Sequence, residues 1–292
     1  MKWNQTIESV MKYVFLVAAV FSIAAVILIC FFLFASGIPA IREIGVVKFL
    51  LGTTWAPSNN EYGILPMIVG SLYITAGAIL FGVPIGILTS VFMTFYCPKK
   101  IYRPLKSATE LLAGIPSVVY GFFGMIVLVP AVYRFEKIMD ISGKGNSIFT
   151  ASLLLGIMIL PSIIGVCESA LRAVPQSYYE GSLGLGATKE RTIFKVILPA
   201  ASSGVLAGVV LGIGRAIGET MAVVMIAGNQ PRIPTSIFKG VRTMTANIVI
   251  EMGYATDLHR ESLIATGVVL FVFILLINAS VAALKRKQGE HA

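Results

Sequence analysis

Residues 64–96 run for 33 positions without a charged side chain, and residues 14–35, 111–133, 147–167 and 262–284 do the same over 21 to 23. A sixth stretch, 200–228, is 29 long and holds two charges. A bilayer core of about 30 Å is crossed by about 20 helical residues, so each stretch can cross once. Backbone amides in lipid find no water, which leaves helices or a closed barrel. Barrel strands alternate apolar and polar residues over about ten positions, and no such alternation occurs here. The expectation is an all-α polytopic membrane protein of six transmembrane helices, folded as one domain over 1–292. With 57% apolar and 13% charged residues, the chain has too little polar surface to cover itself in water.

Lys and Arg in the loops set the orientation. With the N-terminus inside, 13 of the 23 fall in inside loops, 9 in outside loops, and Arg215 within a span. The clusters at 99–106 and 285–287 decide the matter, and both termini are expected to be cytoplasmic. The net charge of +9 is then largely positive-inside bias and calls for no nucleic acid. The first apolar run is longer than the about 7–15 residues of a signal-peptide core, so that helix is expected to be retained. Cys30, Cys97 and Cys167 have no metal-like spacing and are expected to be free thiols. Glu110 and Glu168 fall at span ends, where carboxylates are commonly exposed. His259 and His291 are expected in a loop and the tail, without a metal site.

The loop at about 172–199 is longer than a connection requires. Pro175 suits the first turn of a short helix over 176–183, because its missing N–H is not needed there. Gly184 and Gly186 are expected to break that helix, since glycine takes positive φ cheaply. Thr188 can cap a second short helix. On it Ile193, Phe194 and Ile197 share one side, with Lys189, Glu190 and Lys195 polar. Such an element suits docking against something outside the membrane; the plainer alternative is a helix pair lying at the interface.

Arg215 and Glu219 stand inside the stretch 200–228. If one helix runs through it, Gly204, Gly208, Gly212, Arg215 and Glu219 share a face, one that approaches another helix or a pore rather than lipid. Charges at that depth are functional candidates. The arginine fork matches the oxygens of a tetrahedral oxyanion, and an Arg215–Glu219 ion pair at i,i+4 that only holds the bundle together is the alternative. No G-x-x-x-x-G-K-[ST] loop occurs, so any ATP hydrolysis belongs to another polypeptide. An intramembrane enzyme would want a nucleophile–base pair or a metal cluster within spans, yet no His lies in any of the six stretches. No catalytic residue and no metal ligand is assigned.

Glu180-Gly181-Ser182, Gly186 and the closing Leu198-Pro199 resemble the cytoplasmic loop of permease subunits of bacterial ABC importers. Gly181 and Ser182 stand where that family usually has two alanines, and Val196 stands for isoleucine. Three further segments are similar to the phosphate-specific transport permeases: Gly114-Ile115-Pro116-Ser117-Val118-Val119-Tyr120-Gly121, the run from Gly214 to Ala222, and the run from Arg242 to Ile248. The last, with Tyr62-Gly63-Ile64-Leu65-Pro66, is closer to the PstC type than to its PstA-type partner. The resemblance implies a type I ABC importer permease fold in the bacterial cytoplasmic (inner) membrane, crossed several times. It implies a homologous PstA-like permease alongside, a PstB-like ATPase dimer below, and an extracytoplasmic PstS-like phosphate-binding protein. ATP then acts through the partner ATPase, and this chain binds no cofactor of its own. Inorganic phosphate would pass Arg215, Glu219 and Thr220, while Glu180, Gly181, Ser182, Gly186, Leu198 and Pro199 meet the ATPase. A permease for another oxyanion, molybdate or sulfate, is the alternative.

Overall fold

The computed structural model describes residues 2–289; His291 lies outside them. Helix α1 (Lys2–Ile44) is followed by α2 (Val46–Leu51) and a short hairpin, β1 (Trp55–Ala56) against β2 (Glu61–Tyr62). Helix α3 (Leu65–Val91) carries Pro66 in its first turn and runs on into a wide π turn at Phe92–Tyr96. Next come the amphipathic α4 (Lys99–Gly114) and then α5 (Ser117–Phe123), a π turn at Gly124–Leu128, and α6 (Val129–Ile138). Helix α7 (Ile148–Ala173) is capped by the Ser147 hydroxyl, which accepts from the Thr150 N–H. Then follow α8 (Gln176–Gly184), α9 (Lys189–Thr192), a third π turn at Ile193–Ile197, α10 (Leu198–Ala200) and α11 (Ser202–Gly218). The last three are α12 (Met221–Ile226), α13 (Met244–Glu251) and α14 (Asp257–Gly289).

Five helical runs are long and apolar enough to cross a membrane: Val10–Ile44, Leu65–Tyr96, Ser117–Ile138, Ile148–Ala173 and Asp257–Ser280. The sixth stretch corresponds to Ser202–Gly218, which is long and apolar enough only when taken together with Lys189–Ala200, from which it is bent by 73°. Six stretches therefore have six counterparts, but two differ from expectation. The third span begins at Ser117 rather than at 111, because Pro116 pushes Ile115 into extended backbone at φ −70, ψ 126. Residues 200–228 are not one helix. The chain bends at Ala201 and breaks at Glu219, whose ψ of 127 is extended.

Helix α7 is the centre of the bundle, with 67% of its most apolar window buried. Glycines bring its neighbours close. On α3, a Cβ at Gly77, Gly82 or Gly86 would overlap Ser152, Ile159 or Ile163 of α7. On α11, a Cβ at Gly204, Gly208 or Gly212 would press on Ala170, Cys167 or Ile163. Small residues are how helices approach when lipid supplies no hydrophobic drive between them. Helix α1 instead leans on α14, with Gly37 against Ala265 and Val268 and Phe34 edge-on to Phe271 at 5.8 Å. None of the most apolar window of α1 is buried, as a helix facing lipid requires. The three cysteines are free, Cys167 buried and the other two partly so.

Candidate functional site

Arg215 lies one turn before the end of α11 and is half-buried. The glycine ladder holds α11 so near α7 that the Arg215 Nη1 donates to the Ser162 hydroxyl at 3.2 Å. Glu219 is not its partner, which corrects the expected i,i+4 ion pair. That pair needs a helix continuing through 219, and α11 stops at Gly218. The Glu219 Oε1 turns instead to the start of α12, accepting from the N–H groups of Thr220 at 3.1 Å and Ala222 at 3.3 Å. A side chain that satisfies nearby backbone donors in this way competes with helix continuation. The Glu219 carbonyl accepts from the Thr245 hydroxyl at 3.2 Å, and the Thr220 hydroxyl donates to the Gly218 carbonyl at 3.2 Å. Among the described residues Arg215 is in none of the ion pairs. A guanidinium has five N–H donors, and its fork is left largely free.

The start of the third span meets this break. Gly121 of α5 faces Ala222 and Met225 of α12 with no room for a side chain. The buried Tyr120 hydroxyl reaches back across the Pro116 break to the Leu112 carbonyl at 2.8 Å. Non-helical backbone at membrane depth is tolerated only inside protein or along a water-filled cavity. The backbone is extended at Ile115 and at Glu219, and the helices that follow these two breaks, α5 and α12, pack on each other at Gly121 and Ala222.

The docking segment folds outside the bundle, at the far end of α7. Helix α8 ends one residue later than expected: Gly184 stays helical and only Gly186 takes a left-handed φ, 84. The Gly186 N–H donates to the Leu183 carbonyl at 2.9 Å and the Ala187 N–H to the Ser182 carbonyl at 3.2 Å. This is the paired Schellman pattern, which closes a helix with glycine at the left-handed position. Thr188 caps α9, as its sequence position indicates. Ile193 and Ile197 are buried against Val91, Leu171 and Ala201, while Phe194, expected on the same side, is exposed. The Ser182 hydroxyl bonds the Thr192 hydroxyl at 2.9 Å, joining α8 to α9 at one of the two small positions. Glu180 is exposed and accepts from Gln176 at 2.7 Å. Leu198 is partly buried beneath, and Pro199 opens α10. Leu185 is 91% exposed, beside the exposed Tyr178 and Leu183. An apolar surface on an element outside the bundle fits a partner protein.

The loop grips the end of α3. Tyr179 stacks on Phe95 at 5.9 Å, and the Lys189 Nζ donates to the Phe95 carbonyl at 2.7 Å while lying 4.2 Å above the Tyr96 ring. The other end of α3 is held too: the Ser71 hydroxyl accepts from the Met244 N–H at 3.0 Å, and Gly70 is bare against the Arg242 carbonyl.

Sequence reading misplaced one carboxylate, Glu168, and passed over another, Glu251. Glu168 is buried, with 3% of its side chain exposed. It accepts from the Tyr102 hydroxyl at 2.5 Å, the Lys106 Nζ at 2.9 Å and the Arg172 Nε at 3.0 Å, clamping α4 to α7. The signal was present: Ile164, Cys167, Glu168 and Leu171 share one helical face, and Tyr102 and Lys106 are spaced i,i+4. Glu110, by contrast, is exposed as expected. The bond to Glu168 lifts the Lys106 pKa above its ordinary 10.5. That contribution is complete at neutral pH and is lost only as pH rises through the raised value. Glu168→Ala should cost about 2–3 kcal/mol, less than for three fully buried charge-assisted bonds because both cations are part-exposed. Thermal unfolding in detergent checks it; an unchanged midpoint would show that the clamp holds nothing.

Glu251 is the second. Its Oε1 accepts from the Arg242 Nη1 at 2.5 Å, and its Oε2 lies 2.9 Å from the Trp55 indole N–H and 2.8 Å from the His259 Nε2. His259 is in the first turn of α14, not in a loop. This cluster pins the hairpin to α13 and α14 at the end opposite the docking loop, and no spacing rule could have assembled it.

Residues 82–290 match the family described as binding-protein-dependent transport system inner membrane component. The chain is 39% identical over 270 residues to the probable ABC transporter permease protein YqgH of Bacillus subtilis, covering 89% of this chain and 86% of that one. Against the phosphate transport system permease protein PstC of Haemophilus influenzae it is 37% identical over 295 residues, covering 94% and 92%. A chain of the inward-facing MetNI methionine ABC transporter shares the fold at TM-score 0.63 and 18% identity, covering 80% of this chain and 99% of that one. A chain of the bacterial alginate ABC transporter does so at 0.62 and 15%, covering 92% and 94%. The protein belongs to the binding-protein-dependent transport permeases, as a multi-pass membrane subunit.

Proposed function

We propose that the chain is the PstC-type permease of an ATP-driven importer of inorganic phosphate in the bacterial inner membrane. The observation that carries this is its likeness, at 36% and 37% identity over most of both chains, to phosphate transport permeases of Mesorhizobium japonicum and Haemophilus influenzae. In this reading the docking loop and both termini face the cytoplasm. A PstA-like permease supplies the other half of the path, a PstB-like ATPase dimer takes the α8 surface, and a PstS-like protein delivers phosphate from outside. The chain itself hydrolyses nothing and holds no cofactor.

Charge and geometry support a path for phosphate past Arg215. Arg215, held by Ser162 and paired with no carboxylate among the described residues, offers paired N–H groups to a tetrahedral oxyanion. Glu219 turns to the amides of Thr220 and Ala222 at the start of α12, where a carboxylate stabilises a helix N-terminus. The test is uptake by the complete complex in proteoliposomes. ATP-dependent accumulation of labelled phosphate, not competed by sulfate or molybdate, is expected. Sulfate or molybdate uptake without phosphate uptake would overturn the substrate and keep the permease.

A further inference from the structure

At the end of α7 opposite the docking loop, the loop 139–147 and the segment 228–241 enclose a cleft of about 680 Å³. Lys144, Arg232 and Lys239 line it, with Asn146 and Gln230 between them and no Asp or Glu. Among the described residues none of the three cations is in an ion pair. The Lys239 Nζ donates only a long 3.3 Å bond, to the Ser142 carbonyl across the cleft.

The walls are built rather than incidental. The Ile148 and Phe149 N–H groups donate to the Lys239 and Ile237 carbonyls at 3.1 and 2.9 Å, fastening the segment to the start of α7. The Val241 N–H donates to the Ala227 carbonyl at 2.8 Å, and Gly228 and Gly240 meet so closely that the floor is bare backbone. Gly228 has φ 83, so glycine is needed there on conformational grounds as well. Under the other wall, buried Glu136 accepts from the Gly145 N–H at 2.9 Å and fixes the loop that carries Lys144, without lining the cleft. Helix α12 leads from this floor to Glu219, and its six residues cover about 9 Å. The cleft thus sits one short helix from the Arg215 break.

We infer that this cleft is a receiving site for a small oxyanion, resting on the reading above that the cargo is inorganic phosphate. Three cations that form no ion pair among the described residues, against one carboxylate, Glu136, buried behind the wall at Gly143, concentrate an anion released at the outer mouth, before Arg215 takes it. They act as a diffuse field rather than a tight cage, which suits a site that must also let go.

The test is made in the complete, reconstituted transporter with its binding protein, using labelled inorganic phosphate. Two quantities are read: phosphate imported per ATP hydrolysed, and the concentration of loaded binding protein that half-saturates ATP hydrolysis. In Lys144→Gln/Arg232→Gln/Lys239→Gln the first should fall by about tenfold, the lower range of focusing by a charged cleft, and the second should not move. Raised salt should lower the same ratio in the parent and add little in the variant. The swap Lys144→Arg/Arg232→Lys/Lys239→Arg should keep the parent ratio. An unchanged ratio in the triple variant overturns the site. So does a raised half-saturation with the ratio intact, which would assign the cations to an acidic face of the binding protein. If the triple variant does not assemble, the exposed single change Arg232→Gln carries the same readout, and no loss there also overturns it. If the parent imports another oxyanion, the failure is that of the substrate reading, and the same ratio measured with that anion still decides the cleft.

Discussion

Replacing Arg215 by glutamine is expected to abolish phosphate uptake while the complex still assembles. Glutamine keeps a donor for the Ser162 hydroxyl but removes the charge and the fork. Each hydrogen bond to a charged group is worth about 1.5–3 kcal/mol, so losing even one lowers phosphate occupancy at least about tenfold. A structural Arg215–Glu219 pair would make the double variant Arg215→Gln/Glu219→Gln regain uptake. The geometry gives no such rescue, because Glu219 bonds to Thr220 and Ala222 and not to Arg215. Glu219→Ala should instead weaken the start of α12 by about 0.5–2 kcal/mol, the usual worth of a lost cap. Co-purification and uptake are measured on the same preparations; persisting uptake in Arg215→Gln, or rescue by the double change, would remove Arg215 from the path.

Gly186→Val is expected to insert normally and to lose either ATPase assembly or the coupling of hydrolysis to uptake. No atom lies within 4 Å of a Cβ built at Gly186, so the harm is not a clash. It is the φ of 84, where a β-branched residue is strained by about 1–3 kcal/mol. Relief of that strain opens the Schellman closure of α8 and re-aims Leu185, the most exposed apolar side chain on the docking surface. Gly184→Ala, at a helical position with open space around it, serves as the control and should behave as the parent does. Wild-type uptake and stimulated ATP hydrolysis in Gly186→Val would show that this loop is not where the ATPase engages.

Much of the bundle was legible because lipid narrows the choices. A long run without charge has to be a span, and Thr188 and Gly186 punctuate the docking loop by rules local to a few residues. The break at Glu219 was not legible. Helical phase places Glu219 over Arg215 only if the helix continues, and nothing in the local pattern announces that the carboxylate will prefer the amides of Thr220 and Ala222. The buried Glu168 was misread for the opposite reason: its partners Tyr102 and Lys106 come from another helix. The Arg242–Glu251–His259–Trp55 cluster lies beyond sequence reasoning altogether, since Trp55 and Glu251 are brought together from 196 positions apart.

Helix α3 is grasped at both ends, by Tyr179 and Lys189 of the docking loop at one and by the backbone of Arg242 and Met244 at the other. Its 27 residues make a strut of about 40 Å, stiff along its axis. A movement of the docking loop that keeps both grips is passed toward the Arg242 segment along α3 and the α7 against which it is packed. Slack can be taken up at Pro84 within the strut and at the π turn Phe92–Tyr96, which carries the gripped Phe95 and Tyr96. The docking loop and the Arg242 segment, at opposite ends of the bundle, are thereby joined through one helix.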